Sequence, residues 1–247
     1  MKKFLASLVL AGAAGSYASA QISPTEIPSP VEKIFIPMGF DDNDNSEVVL
    51  KGTFPTPCYR VGRVGADIDD AKKEIKVWAT SYKYPPTIRM FCAQIETPFI
   101  QTIKLGVLKM GDYKVTFKDN PSVSSNLNVA KRTTESPDDY LYAPVENAAV
   151  KVDPESRRQF LRLDGHFPYM FVGCMKLNEI RVTKTNDVLV VLPIAEITEN
   201  ESECADMPSD HHFEISKGIS DPLKEDGLLH VRVLNGNSVN QFVKVER

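Results

Sequence analysis

The chain has 247 residues, 42% hydrophobic and 25% charged, with a formal net charge of −4 at pH 7. That balance belongs to a folded protein, not a disordered one, and without a basic block it lacks the concentrated positive footprint of a nucleic-acid surface. The length admits one large or two small domains.

Residues 1–20, "MKKFLASLVLAGAAGSYASA", carry Lys2 and Lys3, an apolar run over residues 4–14, and the small residues Ala18 and Ala20. This is the pattern of a secretory signal peptide cleaved after Ala20, and its apolar run is too short to cross a bilayer. The mature chain is therefore expected to be secreted or periplasmic, with no membrane span. A Pro-rich lead-in, "QISPTEIPSP", occupies residues 21–30.

From there the chain reads as short strands: "EVVLKG", "EIKVWATS", "FIQTIKLG" and "YKVTF", then "QFLRLDG", "DVLVVL", "FEISKG" and "LLHVRVL". Each alternates or is rich in β-branched residues, and Gly, Pro, Asn and Asp punctuate them. No long helical period is present. The two sets also echo one another: "LKGTFPTPC" returns as "LDGHFPYMFVGC", so that Gly52, Phe54 and Pro55 answer Gly165, Phe167 and Pro168 at one constant spacing. Cys92 and Cys204, and Gly111 and Gly227, recur at nearly the same spacing. Such ordered recurrence reads as a tandem duplication.

The expected fold is all-β: two tandem Ig-like antiparallel β-sandwiches, the first over residues 31–118 and the second over 140–247. Residues 119–139, poor in large apolar side chains, read as a polar linker; a flexible segment of that length spans roughly 25 Å and lets two domains reorient. The cysteines number four, in a chain expected to reach an oxidising compartment, and four cysteines allow three pairings. If each copy is its own sandwich, Cys58 pairs with Cys92 and Cys174 with Cys204. No CxxC knuckle suggests zinc.

The segment "FIQTIKLGVLKMGDYKVTF", with "GTFPTPC" and Cys92 upstream, resembles the closing hairpin of small secreted bacterial Ig-like domains. The resemblance covers roughly residues 34–117, with a degraded copy over 140–233. It implies export and a disulfide-containing sandwich, and it supplies no activity and no catalytic residue.

Few residues invite chemistry. The acidic run "DDNDNSE" offers hard oxygen ligands at close spacing, so Asp42, Asp44 and Glu47 are candidate calcium ligands; the competing reading is a solvated loop. The histidines fall where the first copy carries other residues: His166 at Thr53, His230 at Lys114, and His211 and His212 at Phe99 and Ile100. His211 shares a strand face with Phe213 and Ile215, which suggests a rim or core position. Trp78 lies on the face of its strand that carries Lys76, so it is either a partner-binding aromatic or covered by a loop. There is no GxSxG elbow, HExxH helix or P-loop.

The expected function is therefore that of a non-enzymatic binding or structural protein that engages a protein or glycan at the cell envelope or outside it. Contacts are expected from the loops 82–89 and 199–208, with Tyr82, Tyr84 and Arg89 as anchors beside Trp78. The alternative is a secreted hydrolase or enzyme inhibitor on the same scaffold, with the Pro85-Pro86 loop as the inhibitory element.

Overall fold

The structure is a computed structural model that describes residues 23–85, 91–171, 174–198, 204, 211–223 and 226–243. Residues 1–22, Arg89 and, apart from Cys204, the loop 199–208 lie outside the described residues. The first half contains β1 (Thr25–Pro28), β2 (Val31–Phe35), β3 (Phe40–Asp41), β4 (Ser46–Phe54), β5 (Tyr59–Asp69), β6 (Glu74–Lys83), β7 (Thr97–Gly106), β8 (Gly111–Phe117) and β9 (Asn120–Ala130). One sheet runs β2-β4-β7; the other joins β1, β5 and β8 to β6 and continues through β9 to β3. Alternate residues of the two sheets meet in one core, with Val48, Leu50 and Ile103 facing Ile75, Val77, Val115 and Leu127.

The second half follows with β10 (Val145–Val152), β11 (Gln159–His166), β12 (Met175–Thr185), β13 (Val188–Ile197), β14 (His212–Gly218), β15 (Gly227–Val233) and β16 (Asn237–Val243). Its sheets are β10-β11-β14 and β12-β13-β15-β16, closed on Leu161, Leu163, Leu189, Val191, Leu229 and Val231. The all-β architecture and its two disulfides, Cys58–Cys92 and Cys174–Cys204, agree with the sequence reading. Pairing is not antiparallel throughout: β6 runs parallel to β8, and β13 to β15. The cause is the route of the chain, which leaves β6 for β7 in the opposite sheet and returns in the original direction; β14 plays the same part in the second half.

The recurring glycine has a physical cause. A Cβ on Gly52 would sit 2.1 Å from the Pro30 carbonyl oxygen and 2.6 Å from the Phe99 ring; on Gly165 it would sit 2.2 Å from the Pro144 carbonyl oxygen and 3.0 Å from the Phe213 ring. Close backbone approach, not positive φ, excludes a side chain at both places. Gly52→Ala is expected to cost about 3 kcal/mol, the upper end for overpacking, because the nearest obstacle is the Pro30 backbone carbonyl. Chemical denaturation within about 1 kcal/mol of the parent would contradict that cause.

Cross-strand register also corrects the matching of histidines. Gly52 faces Phe99 and Gly165 faces Phe213, so Phe213, not His211, stands at the Phe99 place. Glu74 pairs with Lys114 as Val188 pairs with Leu228, which puts His230 opposite Thr116 in the comparison. Loops of unequal length between cysteines and strands hid this. His211 precedes β14 with φ of 50°, and therefore does not share a strand face with Phe213.

Two expected boundaries move. The lead-in is not free chain, since β1 pairs with β6 from Thr25 opposite Lys83 to Pro28 opposite Thr80. The linker is mostly strand: β9 pairs with β8, and Val123, Ser125, Leu127 and Val129 turn inward while their neighbours face out. Its alternation is genuine, but small polar residues in both sets disguised it. The remaining connector is pinned to the acidic run, because Asn43 donates to the Thr134 and Ser136 carbonyls and Arg132 N–H donates to Asp42.

The two halves pack sheet on sheet. Phe35 and Val49 on the outer face of β2-β4-β7 bury against Val188, Val190 and Leu228 of β13 and β15, with Ile100 and Leu192 at the margin. Strands covered on both faces lose their alternation, which explains the continuous "VLVV" of β13 and the wholly buried β15. On the second half's own three-stranded sheet, the places of Phe35, Val49 and Ile100 are taken by Ala149, Arg162 and Glu214, and Arg162 and Glu214 form a 2.7 Å ion pair. That face is dressed for solvent. Restoring the seam residues there, as Ala149→Phe with Arg162→Val and Glu214→Ile, is expected to produce concentration-dependent association in sedimentation; a strictly monomeric triple variant would contradict it.

Candidate functional site

The acidic run is spent on the seam between the halves. Asp44 accepts from Arg232 at 3.1 Å and from the backbone N–H groups of Asp41 and Asp138. Arg232 also donates to the Gly39 carbonyl and lies 4.5 Å from the Phe40 ring centre. Next to this pair, Glu47 accepts from the Ser238 hydroxyl and the Asn240 amide, each at 2.7 Å, and lies 3.4 Å from the His230 imidazole. His230 Nδ1 donates to the Asn240 side-chain Oδ1 at 2.8 Å. Outside this buried zone, Lys33 meets Asp187 and Lys51 meets Asp226 across the same junction.

Asp42, Asp44 and Glu47 do not converge: Asp42 caps Arg132, Asp44 holds Arg232 and Glu47 serves the His230 and Asn240 cluster. Cationic and N–H partners already neutralise these oxygens. Among the described residues, no group of three or more His, Cys, Asp or Glu could hold a metal ion.

Burial works to raise the Glu47 carboxyl, yet the His230 imidazole, the Asn240 amide and the Ser238 hydroxyl outweigh it and hold the group below its ordinary 4.5. Its contribution to stability is therefore complete above the unfolded value and is lost as pH falls through the lowered folded value. Asp138 works in the opposite sense: burial and the charge of Asp44 raise it, so its contribution is present below the unfolded value and lost as pH rises through the folded one. Glu47→Gln removes only the first effect. Between neutral pH and about pH 3 the parent should lose stability more steeply than the variant in urea titrations; equal slopes would contradict the role of Glu47.

Beside the seam opens a cleft of about 890 Å³. One wall is β2 with the residues that follow it, from Glu32 to Ile36 and Met38; another is residues 122–126 of β9; the third is the β12–β13 turn of the second half, from Lys184 to Val188. Its β9 wall is Ser122, Val123, Ser124, Ser125 and Asn126, and its surface is mostly polar, since Ile34 and Phe35 are buried; Met38 is 47% exposed. The Lys33–Asp187 ion pair ties the first wall to the third. The second half has a counterpart between β10 and β16, of about 430 Å³. No local motif announced the cleft, because its walls are strand edges from distant parts of the chain.

The aromatic residues singled out in the sequence lie elsewhere. Trp78 faces outward on β6 and is half-buried, with its ring laid over Gly65 of β5, the residue directly opposite it. The face is external, and its partial cover is a glycine of the neighbouring strand, not a loop. Tyr82 is half-buried on the same face, beyond Thr80 and the two-pronged Arg63–Glu26 pair. Tyr84 follows the strand and its N–H donates to the Cys58 carbonyl. None of the three reaches the cleft.

At the disulfide end of the second half, His166 and His212 face each other across β11 and β14 with ring centres 5.1 Å apart, and Glu146 lies 3.1 Å from His166. His211 meets the Tyr169 ring. One pair of histidines, His166 and His212, thus meets across strands, while His211 turns to Tyr169 and His230 lies at the seam.

Residues 48–129, from within β4 to nearly the end of β9, match the family described as the ORF11 beta-sandwich domain. The match covers most of the first sandwich and stops short of the second. No curated protein and no solved structure matches the chain.

Proposed function

We propose that the chain is an exported, non-enzymatic binding protein of two tandemly duplicated sandwiches, which holds a protein or glycan ligand of the cell envelope or exterior in the cleft beside its seam. One observation carries the reading: a cleft of about 890 Å³ takes walls from both halves, which the buried Asp44–Arg232 pair and the Lys33–Asp187 pair at the cleft join to one another. Such a volume lies in the range of ligand sites. Its lining supplies Ser, Asn and Thr hydroxyl and amide groups beside the charged Glu32, Lys33, Lys184 and Asp187, a set of donors and acceptors suited to recognition. The export reading rests on residues 1–20, and the oxidised cysteine pairs are in keeping with it.

The test is site-specific photocrosslinking of the mature chain in its native envelope. A crosslinker at Ser124, in the cleft, is expected to trap a partner that one at Glu214, on the opposite outer face, does not. Adducts from Glu214 alone would overturn the assignment. A third position at Tyr82 tests the outer face of β6, where Trp78 lies over Gly65 as a flat aromatic surface.

A further inference from the structure

The outer face of the first half's larger sheet carries a tryptophan that the fold does not use. Trp78 points outward from β6, half-buried, and its ring joins none of the hydrophobic clusters. Among the described residues it stacks on no other ring, meets no cation and donates no hydrogen bond. What seats the indole is Gly65: a Cβ there would lie 2.4 Å from Cζ2 and 2.7 Å from Cε2 of Trp78. A glycine inside a strand weakens the strand and marks a place where another group comes close. Here it lets the ring settle on bare backbone with its other face turned outward.

The second copy shows what the same face can be used for. Since Glu74 and Lys114 pair as Val188 and Leu228 do, Trp78 stands at the place of Leu192. Leu192 lies at the margin of the seam, so in the second half this face is a docking surface. Around Trp78, however, the places of Val188, Val190 and Leu228 are taken by Glu74, Lys76 and Lys114. Stacking another sandwich there would bury three charges without partners, which disfavours a sheet as the occupant. The surface instead suits a ligand with one flat apolar face and a polar rim.

Fixed polar groups stand on both sides of the ring. Side chains on one face of a strand repeat about every 7 Å. One step from Trp78 along β6, the Thr80 hydroxyl donates to Glu26 at 2.7 Å, and Glu26 takes the two-pronged guanidinium of Arg63. One step the other way along β5 from Gly65, Asp67 meets Lys118 at 3.8 Å. Both pairs remain open to solvent.

We propose that the outer face of β5 and β6 binds a β-linked oligosaccharide, with one pyranose ring stacked on Trp78 and the adjoining units reaching the Arg63–Glu26 and Asp67–Lys118 pairs. A pyranose with equatorial hydroxyls is apolar on its C–H faces and polar round its edge. It therefore matches an indole framed by carboxylate, guanidinium and ammonium groups, which form the stronger, charge-assisted hydrogen bonds. This site is separate from the cleft and stands without it.

Trp78 is the one tryptophan of the chain, so its fluorescence reads the site directly. The test titrates the full mature chain with hexamers of β-1,4-linked glucose and β-1,4-linked N-acetylglucosamine, with the α-1,4-linked glucose hexamer as comparison. A β-linked hexamer is expected to change the emission saturably and to shield the indole from iodide. In calorimetric titration Trp78→Ala should bind that hexamer at least about tenfold more weakly, and Trp78→Tyr should recover part of the loss. Gly65→Val, which keeps the tryptophan and lifts its ring, should weaken binding too; far-ultraviolet circular dichroism matching the parent verifies that each variant is folded. No emission change with any hexamer, or binding that Trp78→Ala leaves intact, would overturn the proposal. So would a protein trapped by the crosslinker at Tyr82 with no sugar bound, which would make the face a protein contact. The crosslinker at Ser124 reads the cleft independently of all these outcomes.

Discussion

Replacing Arg232 with alanine is expected to destabilise the protein by about 3–5 kcal/mol, the cost of breaking a buried ion pair from one side. Both partners are almost wholly enclosed, with side-chain exposures of 8% for Arg232 and 4% for Asp44. Removing the guanidinium leaves the buried Asp44 carboxylate without its cation, beside Phe40 and the Gly39 carbonyl. The second change, Arg232→Met combined with Asp44→Asn, should cost less than the single alanine, because no charge is stranded. Urea denaturation monitored by far-ultraviolet circular dichroism reads both. A loss below about 1 kcal/mol for Arg232→Ala would mean that the pair behaves as an exposed one and the seam is wet.

The disulfides carry the other large effect. They close loops with sequence separations of 34 and 30, one in each half. In the chain-entropy description, either Cys58→Ser with Cys92→Ser, or Cys174→Ser with Cys204→Ser, loses about 3.5–4 kcal/mol. Losses of similar size from the two pairs are the expected result, since loop length enters only through its logarithm. A loss near zero for either pair would show that its unfolded loop is already restrained. A non-reducing peptide map that joined Cys58 to Cys174 or Cys204 would contradict the fold itself.

Much of the fold was legible because it depends on local pattern. Alternation in "EIKVWATSY" and "FEISKG" specified strands, and the repeated "GTFP" and "GHFP" marked the places where backbone crosses backbone at Gly52 and Gly165. β9 was missed although it alternates, because only Val123, Leu127 and Val129 of its inward set are large and apolar. The seam was illegible for a different reason: Asp44 and Arg232 lie far apart in sequence, and neither has a neighbour that hints at the other. Acids in "DDNDNSE" looked alike on the page, while the fold gives each a different partner. One sign of the seam was present. The unbroken apolar runs of β13 and β15 suit strands covered on both faces, which a solitary two-sheet sandwich with one wet face does not produce.

The cleft depends on that seam, since its third wall belongs to the second half and is tied to the first by Lys33 and Asp187. Differential scanning calorimetry of the mature chain is the most direct test that the two sandwiches form one body. A single transition is expected, with calorimetric and van't Hoff enthalpies equal. Two resolved transitions in the parent protein, each with about half the total enthalpy, would contradict the fused seam and with it the shared cleft.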